Sequence, residues 1–149
     1  MKISTKGRYA LRVMVELAEH EKGEYVPLKV IAQKQDISEK YLESIIVVLS
    51  QAGVVDGLRG KGGGYRLNRD AKDYTVGEIL RLTEGSLAPV ACLDCEGNRC
   101  ERAKSCKTLP MWKKLDAVMD NYLSSVSVQD LLDGYDAEIT GVVILSDGN

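Results

Sequence analysis

The sequence predicts a mainly α-helical chain with one small β-hairpin, arranged as a winged helix-turn-helix domain and followed by a long carboxyl-terminal helix suited to pairing two copies. Three observations predict it. Apolar residues recur at three- and four-residue spacing in several segments, two of which are separated only by Asp36-Ile37-Ser38. A glycine-rich stretch with strand-like flanks follows them directly. A late segment from Pro110 carries an apolar stripe too long for so small a body to cover.

Residues 4–20 place Tyr9, Ala10, Val13, Met14 and Leu17 on one helical face, with Ser4 or Thr5 available as the cap. His20, the single histidine, falls near the carboxyl end, where the helix dipole favours a cation and no ligand or catalytic role is required. Pro27 opens a short helix over Leu28–Gln35, and Ser38 caps a second over Glu39–Gln51. Ala32 is small where two helices cross, and Ile31, Ile37, Leu42 and Ile45 supply the apolar contacts that fix their angle. That leaves Glu39, Lys40, Glu43 and Ser44 outward on the second helix, with Tyr41 near them, all able to reach base edges or phosphates. An ordinary helical hairpin in a bundle satisfies the same spacing.

The next segment distinguishes the two. Residues 53–60 and 65–67 read as strand-like pieces around a loop too rich in glycine to be helical. Arg59, Lys61, Arg66 and Arg69 are its basic residues, and no acid stands between Gly57 and Asn68. The bare backbone at Gly60 and at residues 62–64 allows close approach to a phosphate or groove floor. Nucleotide-binding spacings of glycine are absent. A helix-turn-helix followed by a basic glycine hairpin is a winged helix. Beyond it, Thr75 caps a helix ending at Glu84, stopped by Gly85, and a cysteine-containing loop runs from about residue 86 to 110. The helix opened by Pro110 carries Trp112, Leu115, Val118, Met119, Tyr122 and Leu123 on one stripe, whose expected cover is a second copy of itself. Ser127 caps Val128–Leu132, and the tail containing Ile-Thr-Gly-Val-Val-Ile-Leu reads as strand-like or disordered at its end. The expected division is therefore a winged-helix DNA-binding domain over residues 1–84, a cysteine-rich cluster-binding loop over 85–110, and a dimerisation helix with tail over 111–149.

With 149 residues and 44% hydrophobic content, the chain can bury one core, or a small domain plus an appendage that needs a partner. No apolar run approaches the roughly twenty residues needed to cross a bilayer, so no membrane association is expected. The net charge of −2 conceals an asymmetry. Residues 1–70 carry 12 Lys and Arg against 9 Asp and Glu, a net +3, while residues 71–149 carry 8 against 13, a net −5. The basic half is where a polyanion would dock. A lone histidine leaves hydrolase triads without their usual base, and an enzyme is not expected.

All four cysteines, Cys92, Cys95, Cys100 and Cys106, lie in that one loop with the spacing Cys-x2-Cys-x4-Cys-x5-Cys. Thiols gathered in this way are ligands for a soft metal centre, either zinc or an iron–sulfur cluster. Two disulfides could use the same residues. Lys2, Lys6, Arg8 and Arg12 interrupt the amino terminus, however, so no secretory signal is expected and the cytoplasm, where disulfides are seldom structural, is the expected location. Isolated buried thiols fit poorly with so polar a loop. A structural-zinc module whose winged helix contacts proteins stays open.

Taken in order, the opening MKISTKGRYAL, then PLKVIAQKQDISEKYLE, RGKGGGY and the run CxxxxxCxTLPMW resemble the winged-helix transcriptional regulators of the IscR, NsrR and CymR type over nearly the whole chain. The resemblance implies a homodimer on a palindromic promoter site in double-stranded DNA, probing the major groove with Ser38, Lys40, Tyr41, Glu43 and Ser44. It places Arg59 in the flanking minor groove, helped by Lys61 and Gly62. In the IscR-like and NsrR-like branches, three cysteines of this loop hold a 2Fe–2S or 4Fe–4S cluster that senses iron–sulfur status, redox state or nitric oxide, and Cys92, Cys100 and Cys106 match them by position. The chain departs from those branches twice. Leu109 stands where IscR has its histidine ligand, and Arg8 where NsrR has its aspartate, which makes Cys95 the natural fourth ligand of an all-cysteine site. The alternative is a three-cysteine site closed by solvent, a small thiol or another side chain. The family implies repression as the default output. Its CymR-like branch has no cluster and is controlled through a protein partner.

Overall fold

In the computed structural model, which describes residues 1–94 and 100–135, Ser4 starts the first helix, α1 (Thr5–Ala18), by accepting the Gly7 amide on its hydroxyl at 3.1 Å. Ala10, Val13, Met14 and Leu17 form its buried face, the 3.6-residue stripe read from the sequence. α2 (Leu28–Gln35) ends at Asp36, which takes a left-handed conformation with φ 52°. Asp tolerates that region better than most non-glycine residues. Ser38 then caps α3 (Glu39–Gln51) by accepting the Tyr41 amide at 3.1 Å. The chain turns so quickly that Ile31 and Ala32 of α2 share one core with Leu42, Ile45, Ile46 and Leu49 of α3.

The wing is β1 (Val55–Leu58) paired antiparallel with β2 (Gly64–Leu67), Val55 opposite Leu67 and Leu58 opposite Gly64. Val26 pairs with the other edge of β2, exchanging amide and carbonyl with Tyr65 at 2.8 and 2.9 Å. A Cβ at Gly64 would meet the Val26 carbonyl, so glycine is what allows this approach. Tyr74 pins the base of the hairpin. Its fully buried ring carries a hydroxyl that accepts the amides of Asn68 and Arg69 at 3.0 and 2.8 Å and lies 2.9 Å from the Val54 carbonyl.

Thr75 caps α4 (Val76–Glu84), and a single turn at Ala91–Leu93 lies between it and the long helix α5 (Leu109–Ser125). Ser127 and Asp130 form a reciprocal cap on the last helix, α6 (Val128–Leu132). The chain thereby returns to its amino-terminal core. The Val76 amide bonds to the Val126 carbonyl at 2.8 Å, the Val128 amide to that of Tyr74 at 2.9 Å, and Val128 is fully buried. The apolar tail singled out in the sequence lies outside the described residues. Among the described residues no helix is long and apolar enough to cross a membrane.

A polar knot holds α1 against α2. Glu16 is only 4% exposed, and its carboxylate takes Lys34 Nζ at 2.8 Å, His20 Nε2 at 3.0 Å and Gln35 Nε2 at 3.1 Å. His20, read as a bystander of the helix end, is thus a working partner of Glu16. Burial pushes the Glu16 carboxyl up, but hydrogen bonds from Lys34, His20 and Gln35 outweigh it and hold the group below its ordinary value of 4.5. A lowered folded-state value stabilises the fold fully above about pH 4.5 and loses that contribution as the pH falls through the folded value. Glu16→Gln imitates the protonated acid. It is expected to cost ~1–2 kcal/mol at neutral pH, with the deficit closing as wild type is acidified. Denaturant unfolding of both proteins at several pH values checks this, and a pH-independent deficit would refute it.

Candidate nucleic-acid interface

α3 exposes Glu39, Lys40, Glu43, Ser44, Val47 and Gln51, a stripe at intervals of three and four. The sequence singled out Glu39, Lys40, Glu43 and Ser44 and passed over Val47. Ser38 is exposed, and its oxygen is already engaged by the Tyr41 amide, leaving the hydroxyl proton to donate. Ser44 donates back to the Tyr41 carbonyl at 2.6 Å. Tyr41 itself is half-buried and meets Tyr9 edge-to-face, with ring centroids 5.9 Å apart. Arg12 lies over the Tyr9 ring at 4.5 Å and bonds the side chain and carbonyl of Gln35. This fixes α1, with Lys6 and Arg8 in its first turn and Lys2 just ahead of its cap, beside the start of α3.

Arg59, Gly60, Lys61 and Gly62 are exposed at the wing tip. Gly60 and Gly62 have φ of 91° and 75°, a left-handed turn that side chains rarely adopt. Arg59 and Lys61 make no ion pair among the described residues. The wing is less basic than its sequence suggested, because two of its cations are already engaged. Arg66 stacks on Tyr25 at 4.5 Å and lies 3.6 Å from Asp56, while Arg69 bonds Glu78 at 2.6 Å and stacks on Tyr74. Both acids lie outside the acid-free window between Gly57 and Asn68.

Cys92 sits half-buried in the turn Ala91–Leu93, Cys100 is exposed, and Cys106 is half-buried just before α5. Cys95 lies outside the described residues. Cys106 Sγ is 3.3 Å from Thr108 Oγ1. That hydroxyl, followed by the amides of Thr108 and Leu109 at the helix start, lowers the thiol's pKa and favours the thiolate, the form that binds metal. The donor chemistry therefore suits a soft metal. Among the described residues, no three His, Cys, Asp or Glu side chains are gathered closely enough to hold an ion. Leu109 is buried and apolar, and Arg8 is exposed beside the Thr5 hydroxyl, so neither offers a ligand. The loop is wired to the rest of the chain at its start. Glu84, the last residue of α4, accepts the Ser4 amide at 3.1 Å and the Ser4 hydroxyl as well, so it touches the cap of α1.

α5 buries Leu109 alone, leaves Met111 50% and Leu115 37% exposed, and is tied to α4 by an ion pair between Arg81 and Asp120.

Comparison with known proteins aligns residues 3–134 with the Rrf2 family, described as iron-dependent transcriptional regulators. The transcriptional regulator IscR of Photorhabdus laumondii is 36% identical over 132 residues, which cover 89% of this chain and 79% of that protein. CymR of Bacillus subtilis is 39% identical over 138 residues, covering 93% of this chain and 94% of the relative. The solved structure of T. potens IscR superposes with a TM-score of 0.71 at 36% identity, over 93% of this chain and 90% of the other. That of CymR, the global cysteine regulator of B. subtilis, gives 0.73 at 37% identity, over 91% and 99%.

Proposed function

This chain belongs to the Rrf2 family of DNA-binding transcriptional regulators, and from that premise we propose that it is a homodimeric cytoplasmic repressor. Its promoter occupancy is set by an iron–sulfur cluster held on Cys92, Cys95, Cys100 and Cys106. The observation that carries the reading is the placement of the thiols. All four lie in the one segment between α4 and α5, which begins at the residue after Glu84 and carries Cys106 two residues before the cap of α5. A bound cluster would supply a centre reactive toward oxidants and nitric oxide and sensitive to iron supply. The chain's own part is mechanical. Ordering or releasing the loop bears on Glu84, and through Ser4 on the cap of α1, whose Tyr9 packs on Tyr41 at the start of the recognition helix. A two-fold dimer would read a palindrome with half-sites about one helical turn, or a multiple of it, apart.

A second reading is favoured by one observation: Leu109 and Arg8 stand at the two positions that supply non-cysteine ligands in the cluster-binding branches. This is the cluster-free regulator of the CymR type, controlled by a protein partner. Isolation under nitrogen, with a visible spectrum and analysis for iron, sulfide and zinc, decides among the readings. The expected result is coloured protein carrying iron and acid-labile sulfide, with colour lost or altered in each of Cys92→Ser, Cys95→Ser, Cys100→Ser and Cys106→Ser. Colourless protein with one zinc per chain would point instead to a structural-zinc module. Metal-free protein that still retards its promoter would support the cluster-free reading.

A further inference from the structure

Five of the six residues on the outward stripe of α3 are polar, as a solvated helix face should be. Val47 is the exception. It is β-branched, has no side-chain polar atom and is 50% exposed. Such a side chain can neither bond a phosphate nor accept from a base. A single apolar residue in water usually means little, but this one occupies a particular place. It lies one turn beyond Glu43 and Ser44 on the same face, in the middle of the stripe between Lys40 and Gln51.

The floor of the major groove presents hydrogen-bonding atoms at every base pair and one prominent apolar group, the 5-methyl of thymine. We propose that Val47 reads a thymine in the operator by packing against that methyl group, an assignment that rests on α3 being the recognition helix. Valine suits the task because its side chain has essentially one rotamer in a helix, so docking it against a methyl freezes little motion. The geometry also predicts a register. At ~1.5 Å rise per residue, Val47 lies about 6 Å along the axis from Glu43. That is about two base pairs at roughly 3.4 Å each. A helix lying in the major groove is inclined to the duplex axis, so this spacing is an upper limit, and the thymine is expected within about two base pairs of the pair that Glu43 faces.

The test uses operators selected by the full-length protein from random duplexes. Each thymine of a half-site is replaced in turn by uracil, which deletes the methyl and keeps every hydrogen-bonding group. Wild type is expected to lose about fourfold in affinity at one position per half-site, the worth of one methyl removed from water. Val47→Ala is expected to bind the thymine and uracil duplexes equally at that position. Ser44→Ala should keep the wild-type penalty. Lys40→Glu, run in parallel, separates the two ways to fail. If it retards DNA as wild type does, α3 is not the reading element and the premise falls. If it loses DNA while every uracil penalty is the same in wild type and Val47→Ala, the thymine contact alone is overturned.

Discussion

Arg59→Ala is expected to weaken binding to an operator fragment by about 30-fold or more without lowering the unfolding midpoint. The arginine sits at the tip of the hairpin next to Gly60, exposed and without an ion pair among the described residues, so its loss removes nothing from the core. A guanidinium inserted in a minor groove meets enhanced negative potential. A direct contact of this kind is worth ~1–3 kcal/mol, and a dimer loses it twice, which gives at least about 2 kcal/mol. Lys61→Ala makes the complementary measurement. As a phosphate contact it should lower affinity on all sequences alike and reduce the salt dependence by about one unit per site. Arg66→Ala should behave the other way round, because Arg66 is spent on Asp56, Tyr25 and the Gly23 carbonyl. Its loss should loosen the wing more than it weakens DNA binding. Gel retardation across a salt series, beside thermal unfolding, checks all three. Undiminished retardation by Arg59→Ala would remove the wing from the interface.

These expectations differ in how much of them the sequence revealed. The caps at Ser4, Ser38, Thr75 and Ser127 were legible because each closes a hydrogen bond within three residues of itself. The wing was legible because clustered glycines between two strand-forming pieces supply the positive φ that a tight hairpin turn demands. What stayed hidden depends on partners distant in the chain. The pairing of Val26 with β2 supplies a third strand-like edge that no local pattern announces. The return of Val128 to the first core joins the last helix to α1. Glu84 meets Ser4 across 80 positions. The same limit misread the wing's charge, since Asp56 and Glu78 neutralise Arg66 and Arg69 from outside the acid-free window. Val47 was missed for another reason. A search for polar readers passes over an apolar one, and only its exposure on the folded helix marks it. The thiols were plain as a group. Their arrangement in space is not a property of spacing, because it depends on how the loop lies between α4 and α5.

The expected result for Leu115→Asp is a monomer that binds its operator at least a hundredfold more weakly than wild type. α5 is 17 residues long, about 25 Å at ~1.5 Å per residue, and it lays only part of its apolar surface on α4. Met111 and Leu115 stand exposed one turn apart, with Trp112, Val118 and Met119 half-buried beside them. In the proposed dimer this stripe meets its own copy across a two-fold axis, where an aspartate at position 115 would bring two carboxylates into a desolvated interface. The cost on DNA exceeds the cost of the lost contacts. A dimer holds its second winged helix near the second half-site at millimolar effective concentration, and a monomer gives that up entirely, an avidity term of about 10²–10⁴. Lys113→Asp, an exposed change on the same helix off the apolar stripe, makes the matching charge control and should leave assembly intact. Light scattering and retardation on the same samples decide the matter. A wild type that is monomeric at micromolar concentration, or a Leu115→Asp dimer with full affinity, would show that this face covers something other than a second copy. A Leu115→Asp monomer that still bound at full strength would show instead that one winged helix suffices, and the palindromic operator would lose its physical basis.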